Sequence, residues 1–464
     1  MPDGLPEIPT QGRSPTADAD REHHLHPWEG LGTWREAERH VIARGEGIYL
    51  IDEQGRRLMD GPGGMWCVNV GYGRREIAEA MAQQAMTLPY ASPWATAHGP
   101  GAELAERLAR LAPGALNTVQ FTTGGSTAVD TALRTMHFLN NRLGRPEKKI
   151  VIAREKGYHG STYLSASVTG KERDRSHFDR ASDLVHMLPD VNPFIRPEGM
   201  SEAEWCDLKV ADLEGAIAEI GPDRVGAFIA EPILCSGGVV IPPKGYHERT
   251  LEVCRRHDVL YISDEVVTAF GRLGHWFASE EVFGIEPDFI CCAKGLTSGY
   301  LPLGACIISD RVLDRMTGAD HDVMFVNGYT YSAHPVACAA ALANMDIIER
   351  EDLLGHVRRV APQFQDRLHA LRASPIIGDT RGMGLLGCLE GLPEAGRAAP
   401  LGTQRDIGAR LDAACEERGL IVRPLINMCV FSPPLIITEA EIDAMFDVIE
   451  DAVNEVAADF SNGG

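Results

Sequence analysis

From about residue 75 to residue 335, amphipathic segments are interleaved with short apolar runs. The amphipathic segments predict helices at residues 75–86, 101–111 and 126–139, because their apolar positions recur with helical spacing. The short runs are rich in β-branched residues and predict strands at residues 119–123, 149–153, 225–231, 259–264, 289–293 and 305–309. These runs lack polar alternation, which is typical of strands covered on both faces. The pattern therefore predicts an α/β fold with a mostly parallel central sheet flanked by helices.

The pattern changes on either side of this region. Residues 1–20 are rich in Pro, Gly, Thr and Asp, so we expect a frayed N-terminus. Two short strands are predicted at 47–51 and 57–59. After Pro335 the pattern predicts a smaller α+β unit, with helices at 336–350, 354–371 and 439–456 and strands at 384–390 and 420–423.

Composition and charge narrow the class of protein. Of the 464 residues 44% are hydrophobic and 24% are charged, as in a folded globular chain. The formal net charge of −22 disfavours nucleic acid and anionic membranes as partners, since both require clustered Lys and Arg. No window approaches 18 unbroken apolar residues and no signal sequence is visible, so we expect a cytoplasmic protein without a transmembrane helix.

Two groups of residues could suggest metal or disulfide chemistry, and we expect neither. The eleven cysteines are scattered, form no CxxC pair and mostly lie in apolar runs, which favours reduced thiols that fill the core. His23, His24 and His26 form a cluster for which we identify no carboxylate or thiolate at ligand spacing. The sequence therefore predicts no metal site.

Residues with distinctive chemistry follow the predicted strands. One such stretch, Gly124, Gly125 and Ser126, links a strand to a helix that is predicted to begin with Ser126. The N-terminus of a helix suits a phosphate group. An ordinary turn would also explain these residues. Asp264 ends a strand, where its carboxylate could pair with a protonated ring nitrogen or merely cap a helix. Lys294 follows an apolar strand and could form a Schiff base or lie along the surface.

Two further stretches complete this set. Tyr158, next to His159, offers a ring that could stack on a flat heteroaromatic cofactor. Residues 329–332 are rich in hydroxyl groups that suit phosphate oxygens. A phosphate cradle, an acid for a ring nitrogen, a stacking ring and a strand-end lysine together indicate pyridoxal 5′-phosphate (PLP).

The chain resembles class III (omega) aminotransferases of the fold-type I PLP superfamily, and the amine:pyruvate and β-alanine:pyruvate branch in particular. The resemblance extends from about residue 25 to the last helix. It rests on the stretches MDGPGGMWCVNVGYGRREI, FTTGGSTAVDTALR, GYHGST, AEPILCSGGV, ISDEVVTAFGR, CAKGLTSGYLPLGA, GYTYSAHPVACAAALAN and GLIVRPL. It implies a large PLP-binding domain at residues 75–335 and a small domain formed by 21–74 with 336–464.

The resemblance also assigns roles to residues. The implied catalytic residues are Lys294 and Asp264. Lys294 is implied to hold the cofactor as a Schiff base and to move the proton between the substrate and the cofactor. Asp264 is implied to pair with the ring nitrogen. Thr330 is implied to reach the phosphate bound by a neighbouring subunit, so that a homodimer, or a tetramer of such dimers, shares its sites. The other implied cofactor-binding residues are Gly124, Gly125, Ser126, Tyr158, His159, Glu231 and Val266, and the implied substrate-binding residues are Trp66, Tyr90 and Arg423.

Three departures from the family pattern concern the acceptor. Relatives acting on 4-aminobutyrate and ornithine carry a glutamate that gates the pocket arginine, and here that position is Ser236. They also carry a glutamine where this chain has Val267. Both differences favour pyruvate over 2-oxoglutarate. Ile426 occupies a position where the family usually has glycine. This difference is expected to affect how freely the Arg423 side chain moves.

The sequence thus predicts a ping-pong transfer of an amino group from a small-molecule amine or omega-amino acid to a keto acid, with pyruvate as the expected acceptor. The amine donor is left open among β-alanine, taurine, putrescine and aryl-alkyl amines. An aminomutase or an amino-group lyase on the same fold would carry the same Lys294 and Asp264. A catalytically inert binding module would be expected to have lost one of them.

Overall fold

The computed structural model describes residues 14–36, 39–318, 323–392 and 407–462. Within these residues the strands, in chain order, are β1 (Ile42–Glu46), β2 (Tyr49–Asp52), β3 (Arg57–Asp60), β4 (Thr118–Thr122), β5 (Ile150–Arg154), β6 (Val185–Leu188), β7 (Val225–Ala230), β8 (Leu260–Asp264), β9 (Phe289–Cys292), β10 (Gly304–Ile308), β11 (Ile377–Met383), β12 (Leu386–Gly391), β13 (Leu420–Ile421), β14 (Arg423–Leu425) and β15 (Met428–Phe431).

Helices connect and cover these strands. In chain order they are α1 (Pro15–His23), α2 (Gly63–Trp66), α3 (Arg75–Thr87), α4 (Gly99–Leu111), α5 (Gly125–Arg142), α6 (Tyr163–Ser167), α7 (Glu202–Ile220), α8 (Tyr246–Arg256), α9 (Ala278–Glu281), α10 (Asp310–Thr317), α11 (Pro335–Arg350), α12 (Leu353–Ala370), α13 (Ile407–Glu417) and α14 (Glu439–Asn462).

The central sheet has seven strands in the order β4-β10-β9-β8-β7-β5-β6. Strands β6, β5, β7, β8 and β9 pair in parallel, and β10 is antiparallel to both of its neighbours, β9 and β4. The predicted α/β fold with a mostly parallel sheet is confirmed, and β10 is the strand that reverses direction.

Both faces of this sheet are covered, which explains why its strands lack polar alternation. Along β7, Ala227 and Ile229 pack in the apolar cluster that contains residues of α5. Phe228 and Ala230, on the opposite face, pack in the cluster that contains residues of α7 and α8. Every residue of β7 is buried as a result.

A second, four-stranded sheet joins the two ends of the chain. β1, β2 and β3 pair in sequence, and β13 adds in parallel to β3. Ile48 and Met59 share an apolar cluster with Phe446 of α14. This pairing supports our proposal that residues 21–74 associate with the C-terminal segment. A third sheet, in the order β11-β12-β15-β14, lies within that segment.

Helix α11 shifts the proposed domain boundary. The sequence assigned residues 336–350 to the small unit. In the structure Ala337 and Ala341 of α11 pack with Ile290 of β9 and Leu104 of α4. Because α11 is buried against the large sheet, we propose that the small unit begins after it.

The N-terminal segment is more ordered than its composition predicts. Residues 1–13 lie outside the described part of the chain, but α1 occupies Pro15–His23 of the stretch that we expected to fray through residue 20. The Ser14 hydroxyl oxygen caps α1 by accepting a hydrogen bond from the Thr16 amide, and Pro15 supplies a helical φ at the first position. The helix also places Asp20 one turn from His24, so the histidine cluster does have a carboxylate at ligand spacing.

Two further observations bear on the expectations from composition. Among the described helices, none is long and apolar enough to cross a membrane. All eleven cysteines are unpaired thiols, and ten of them are buried.

Candidate active site

The strand registers bring the singled-out side chains to one edge of the central sheet. Asp264 is the last residue of β8, Glu231 directly follows β7, and Lys294 lies two residues beyond β9. Ala230 pairs with Ser263, and Asp264 pairs with Cys291, so the three strands end at the same level. A cavity of about 330 Å³ opens there, where parallel α/β sheets characteristically bind ligands.

Asp264 and His159 form a buried pair on the floor of the cavity. The His159 Nδ1 and Asp264 Oδ2 atoms are 2.7 Å apart, and both side chains are almost fully buried. The Val266 amide donates to Asp264 Oδ1 at 3.2 Å. His159 therefore fixes the orientation of the carboxylate and leaves Asp264 lining the cavity.

Lys294 enters the same cavity from a short 3₁₀ turn, Lys294–Leu296. Its φ of 44° lies in the left-handed region, which a non-glycine residue seldom adopts outside functional sites. Burial lowers the pKa of the Lys294 amine, although the nearby Cys235 and Asp264 act in the opposite direction. The ammonium lies 5.2 Å from the Trp66 ring centroid. A lysine with a lowered pKa is suited to act as a nucleophile or a base.

The start of α5 forms one wall of the cavity. Gly125 and Ser126 line it, while Gly124 is the N-cap and lies just outside, so the helix begins one residue before the predicted Ser126. A Cβ atom on Gly125 would lie 2.9 Å from Val266 Cγ1, which shows that the backbone needs glycine to approach this closely. The 18-residue helix directs its free N–H groups and the positive end of its dipole at the cavity.

Glu231 and Tyr158 also line the cavity. Glu231 accepts hydrogen bonds from the amides of Tyr158 at 2.9 Å and Cys235 at 3.1 Å. Burial raises the pKa of Glu231. The Tyr158 hydroxyl is 3.0 Å from Ser161 Oγ. Glu231 thus positions the chain that carries the Tyr158 ring.

Trp66 and Arg423 line the outer part of the cavity. The indole Nε1 of Trp66 and the Nε of Arg423 are buried and have no hydrogen-bond partner among the described residues. Arg423 Nη1 contacts the Met65 sulfur at 3.1 Å, and its guanidinium carbon lies 5.9 Å from the Trp28 ring centroid. Arg423 is therefore a cation in the cavity without an ion pair to any described carboxylate.

Thr330 and Tyr90 are not part of this cavity within one chain. The Tyr90 hydroxyl donates to the Thr330 carbonyl at 3.0 Å, and both residues are exposed. The neighbouring Tyr329 hydroxyl donates to the Thr127 carbonyl in the first turn of α5. The pair thus lies at the surface close to the start of α5.

Sequence reasoning did not assign several residues of the cavity. Trp28, Met65, Lys171 and Arg173 all line it. Trp28 is 52% exposed, which only the structure reveals, so no local pattern in the sequence assigns it to the cavity. Lys171 Nζ donates to the Ser236 carbonyl at 3.0 Å, a contact between distant loops that no local pattern reveals.

Comparison with known proteins agrees with this site. The family model for class III aminotransferases matches residues 33–453. The chain is 37% identical to the putrescine–pyruvate aminotransferase of Pseudomonas aeruginosa, with 94% of this chain and 95% of the relative covered. It is 40% identical to the diaminobutyrate–2-oxoglutarate transaminase of Halomonas elongata, with 95% and 96% covered.

The structural comparison gives the same family. The omega transaminase of Pseudomonas jessenii, solved in complex with PMP, superposes with a TM-score of 0.92 at 33% identity, covering 97% of this chain and all of the other. An (S)-enantioselective omega-transaminase from Thermomicrobium roseum superposes with a TM-score of 0.90 at 36% identity, covering 95% and 98%.

The cavity fits PLP, the cofactor of this family. Gly125 leaves space for a phosphate that a Cβ atom would restrict, Asp264 suits the ring nitrogen, and Lys294 offers an amine between them. The chain belongs to the class III aminotransferases, PLP-dependent enzymes that exchange amino groups between small-molecule amines and keto acids.

Proposed function

We propose that this enzyme transfers an amino group from an amine or omega-amino acid to pyruvate by a ping-pong mechanism. The observation that carries the proposal is the lack of an acidic partner for Arg423 among the described residues. Its guanidinium lines the cavity, its Nε is buried without a partner, and no described carboxylate forms an ion pair with it. A half-buried cation of this kind gains from a carboxylate that arrives with the substrate.

The charges around Arg423 support an anionic ligand. Burial lowers the pKa of Arg423, and the nearby Arg173 lowers it further. Arg173 also lines the cavity, although it pairs with Asp174 at 2.9 Å. A keto acid carboxylate would relieve both the desolvation and the repulsion, and guanidinium geometry suits bidentate contact with it.

Ser236 supports pyruvate as the acceptor. Its hydroxyl is buried without a partner among the described residues, and it lines the same cavity as Arg423. A glutamate at this position would offer Arg423 an internal carboxylate. Because Ser236 offers no carboxylate, it does not compete with the substrate for Arg423. This arrangement suits a small acceptor that needs only one carboxylate contact.

The chemistry divides between the cofactor and the protein. Bound PLP supplies an electron sink for the carbanion at the substrate carbon. Asp264, held by His159, would keep the ring nitrogen protonated. The Lys294 amine, with its lowered pKa, would remove the substrate proton and return it.

We also propose that the enzyme is a homodimer with shared sites. Thr330 and Tyr90 lie outside their own cavity but near the first turn of α5. The chain segments that carry them expose large apolar side chains, namely Met86, Trp94, Met324, Val326 and Tyr331. Such a surface is typical of a subunit interface, and burying it would place Thr330 beside the phosphate of the partner.

The pyruvate proposal is tested by separating the two half-reactions in the purified holoenzyme. Lys294→Ala should abolish turnover and the absorbance of the lysine-bound cofactor. Arg423→Ala should lower kcat/KM for pyruvate by about 100-fold, because a bidentate charged contact worth about 3 kcal/mol is lost. The half-reaction with a simple amine should change by less than about threefold.

Arg173→Ala is the matched control, since it removes a neighbouring cation that already has an acidic partner. Equal loss of both half-reactions in Arg423→Ala would contradict the assigned role. A preference of the wild-type enzyme for 2-oxoglutarate over pyruvate would contradict the acceptor. Formation of the amino form of the cofactor with amine alone distinguishes transfer from an aminomutase or a lyase.

A further inference from the structure

Three side chains with metal-ligand atoms converge where α1 ends. His24 Nδ1 lies 3.1 Å from Asp20 Oδ1, and His26 Nε2 lies 2.9 Å from the same oxygen. These ligand atoms all lie within 4.8 Å of one another. The convergence arises because Asp20 and His24 are one helical turn apart and the chain becomes extended at His24, which brings His26 back to the carboxylate.

The distances from Asp20 Oδ1 to the two imidazole nitrogens are close to those between ligand atoms in a tetrahedral metal site. Zinc bonds of 2.0–2.1 Å to nitrogen and oxygen place neighbouring ligand atoms about 3.3 Å apart. The observed separations of 2.9 and 3.1 Å are close to this value. Two imidazoles and one carboxylate leave a fourth position for water, and the Asp20 and His26 side chains are about 30% exposed, so an ion can enter.

We propose that Asp20, His24 and His26 bind one divalent transition-metal ion, with zinc as the best fit. Imidazole nitrogen with a single carboxylate favours Zn²⁺ over Ca²⁺ or Mg²⁺, which prefer several oxygen ligands. His23 is excluded from the site, because its ring faces Glu22 at 3.8 Å. The proposal is independent of the acceptor proposed above.

The ion would act on the catalytic cavity through Trp28. His26 is two residues before Trp28, and Pro27 between them limits the freedom of the chain. The Trp28 ring lies 6.3 Å from the Tyr158 ring and 5.9 Å from the Arg423 guanidinium carbon. Its φ of 59° is unfavourable for a bulky residue and must be held by its surroundings. The bound metal would restrict the movement of the chain next to Trp28.

The site is tested by equilibrium dialysis of the metal-stripped holoenzyme against ZnCl₂, with zinc counted per chain. The wild-type enzyme should bind one equivalent of zinc per chain. The variants Asp20→Asn and His26→Ala should bind zinc with dissociation constants at least tenfold higher. His23→Ala is the matched control and should keep that equivalent. Equal zinc binding in wild type and Asp20→Asn, or no stoichiometric binding, would overturn the site.

Thermal unfolding gives a second readout. Zinc should raise the Tm of wild type and His23→Ala but not that of Asp20→Asn, because an ion that binds only the folded state stabilises it. Removal of zinc should raise KM for the amine at least twofold in wild type and leave Asp20→Asn unchanged. An unchanged KM in wild type would overturn the link between the ion and the Trp28 wall.

Discussion

At the scale of the residue, the cavity residues Trp66 and Lys294, and Ile426 three positions after Arg423, have left-handed backbone conformations. Trp66 has a φ of 60°, Lys294 of 44° and Ile426 of 60°. Non-glycine residues in this region cost about 1–3 kcal/mol and persist where the surrounding structure holds them. Ile426 is the clearest case, because a β-branched side chain suffers most there and its side chain is 47% exposed.

Ile426→Gly should therefore stabilise the enzyme. Ile426 and Asn427 form the two-residue connection between β14 and β15, where a positive φ at the first position favours glycine. Relief of strain outweighs the added freedom of the unfolded chain, so we expect a gain of about 1 kcal/mol. Urea unfolding would measure it, with Leu392→Gly, another exposed apolar side chain, as the control. A destabilised Ile426→Gly variant would contradict the strain.

Lys294 and Asp264 could be predicted from the sequence because Lys294 follows an unbroken apolar run and Asp264 follows one that only Ser263 interrupts. A charged residue at the end of a buried strand is costly unless it is used, so the local pattern contains the signal. Trp28 and Lys171 could not be predicted in this way. They reach the cavity from loops, and their positions depend on contacts such as that between Lys171 and the Ser236 carbonyl.

At the scale of the element, the start of α5 leaves little space for an added side chain. Gly125→Ala should raise the dissociation constant of PLP at least tenfold, because the new methyl group would lie 2.9 Å from Val266 Cγ1 in the phosphate wall. Cofactor titration of the apoenzyme measures the effect. Gly215→Ala on the exposed face of α7 is the control, since nothing lies within 4 Å of the added carbon. Unchanged affinity in Gly125→Ala would show that α5 does not hold the cofactor.

Helix α8 makes the stability of the enzyme depend on pH. Burial, with a smaller contribution from the nearby Arg154, lowers the pKa of His247 from 6.5 to about 3. The neutral ring is held between the Tyr261 hydroxyl at 2.8 Å and the Pro232 carbonyl at 2.9 Å. Between pH 6.5 and pH 3 the unfolded chain binds more protons at this residue, so acid removes stability that is fully present above pH 6.5.

His247→Gln should therefore flatten the acid side of the stability profile. The slope of the unfolding free energy between pH 6 and pH 4.5 should fall by up to about 1.4 kcal/mol per pH unit relative to wild type. Urea unfolding at each pH measures the slope. His177→Gln, which changes an exposed histidine, is the control. Equal slopes in wild type and His247→Gln would exclude His247 as the source.

Six of the seven strands of the central sheet were predicted, because burial on both faces favours runs of apolar and β-branched residues. Strand β6 at the edge of the sheet, which reads VHML, was not predicted. The strands of the third sheet were harder. β11 reads IGDTRGM, with two glycines and three charged or hydroxyl residues, and it is a strand because it pairs with β12 along its length. Here tertiary pairing outweighs local propensity.

At the scale of the whole molecule, a shared site predicts complementation between two inactive variants. Lys294→Ala removes the amine of one site, and Thr330→Asp would place a negative charge beside the partner's phosphate. A mixed dimer regains one of its two sites, so the purified mixed dimer should have about half of the wild-type specific activity. Co-expression with two affinity tags and assay of the doubly tagged fraction measure it.

Thr330→Asp homodimers with full activity, or mixed dimers without any, would contradict the shared site. The sequence alone indicated this role for Thr330 through its resemblance to the family. The structure of one chain adds that Thr330 lies outside its own cavity and beside exposed apolar side chains.

The distribution of thiols has a practical consequence for labelling. Ten of the eleven cysteines are buried, and Cys67, next to Trp66 in the cavity wall, is the half-buried exception. Burial raises the pKa of Cys67, which slows its reaction without preventing it. A small thiol reagent added to the folded enzyme thus meets one reachable sulfur, and a fluorophore attached there would report on the occupancy of the cavity without any engineered cysteine.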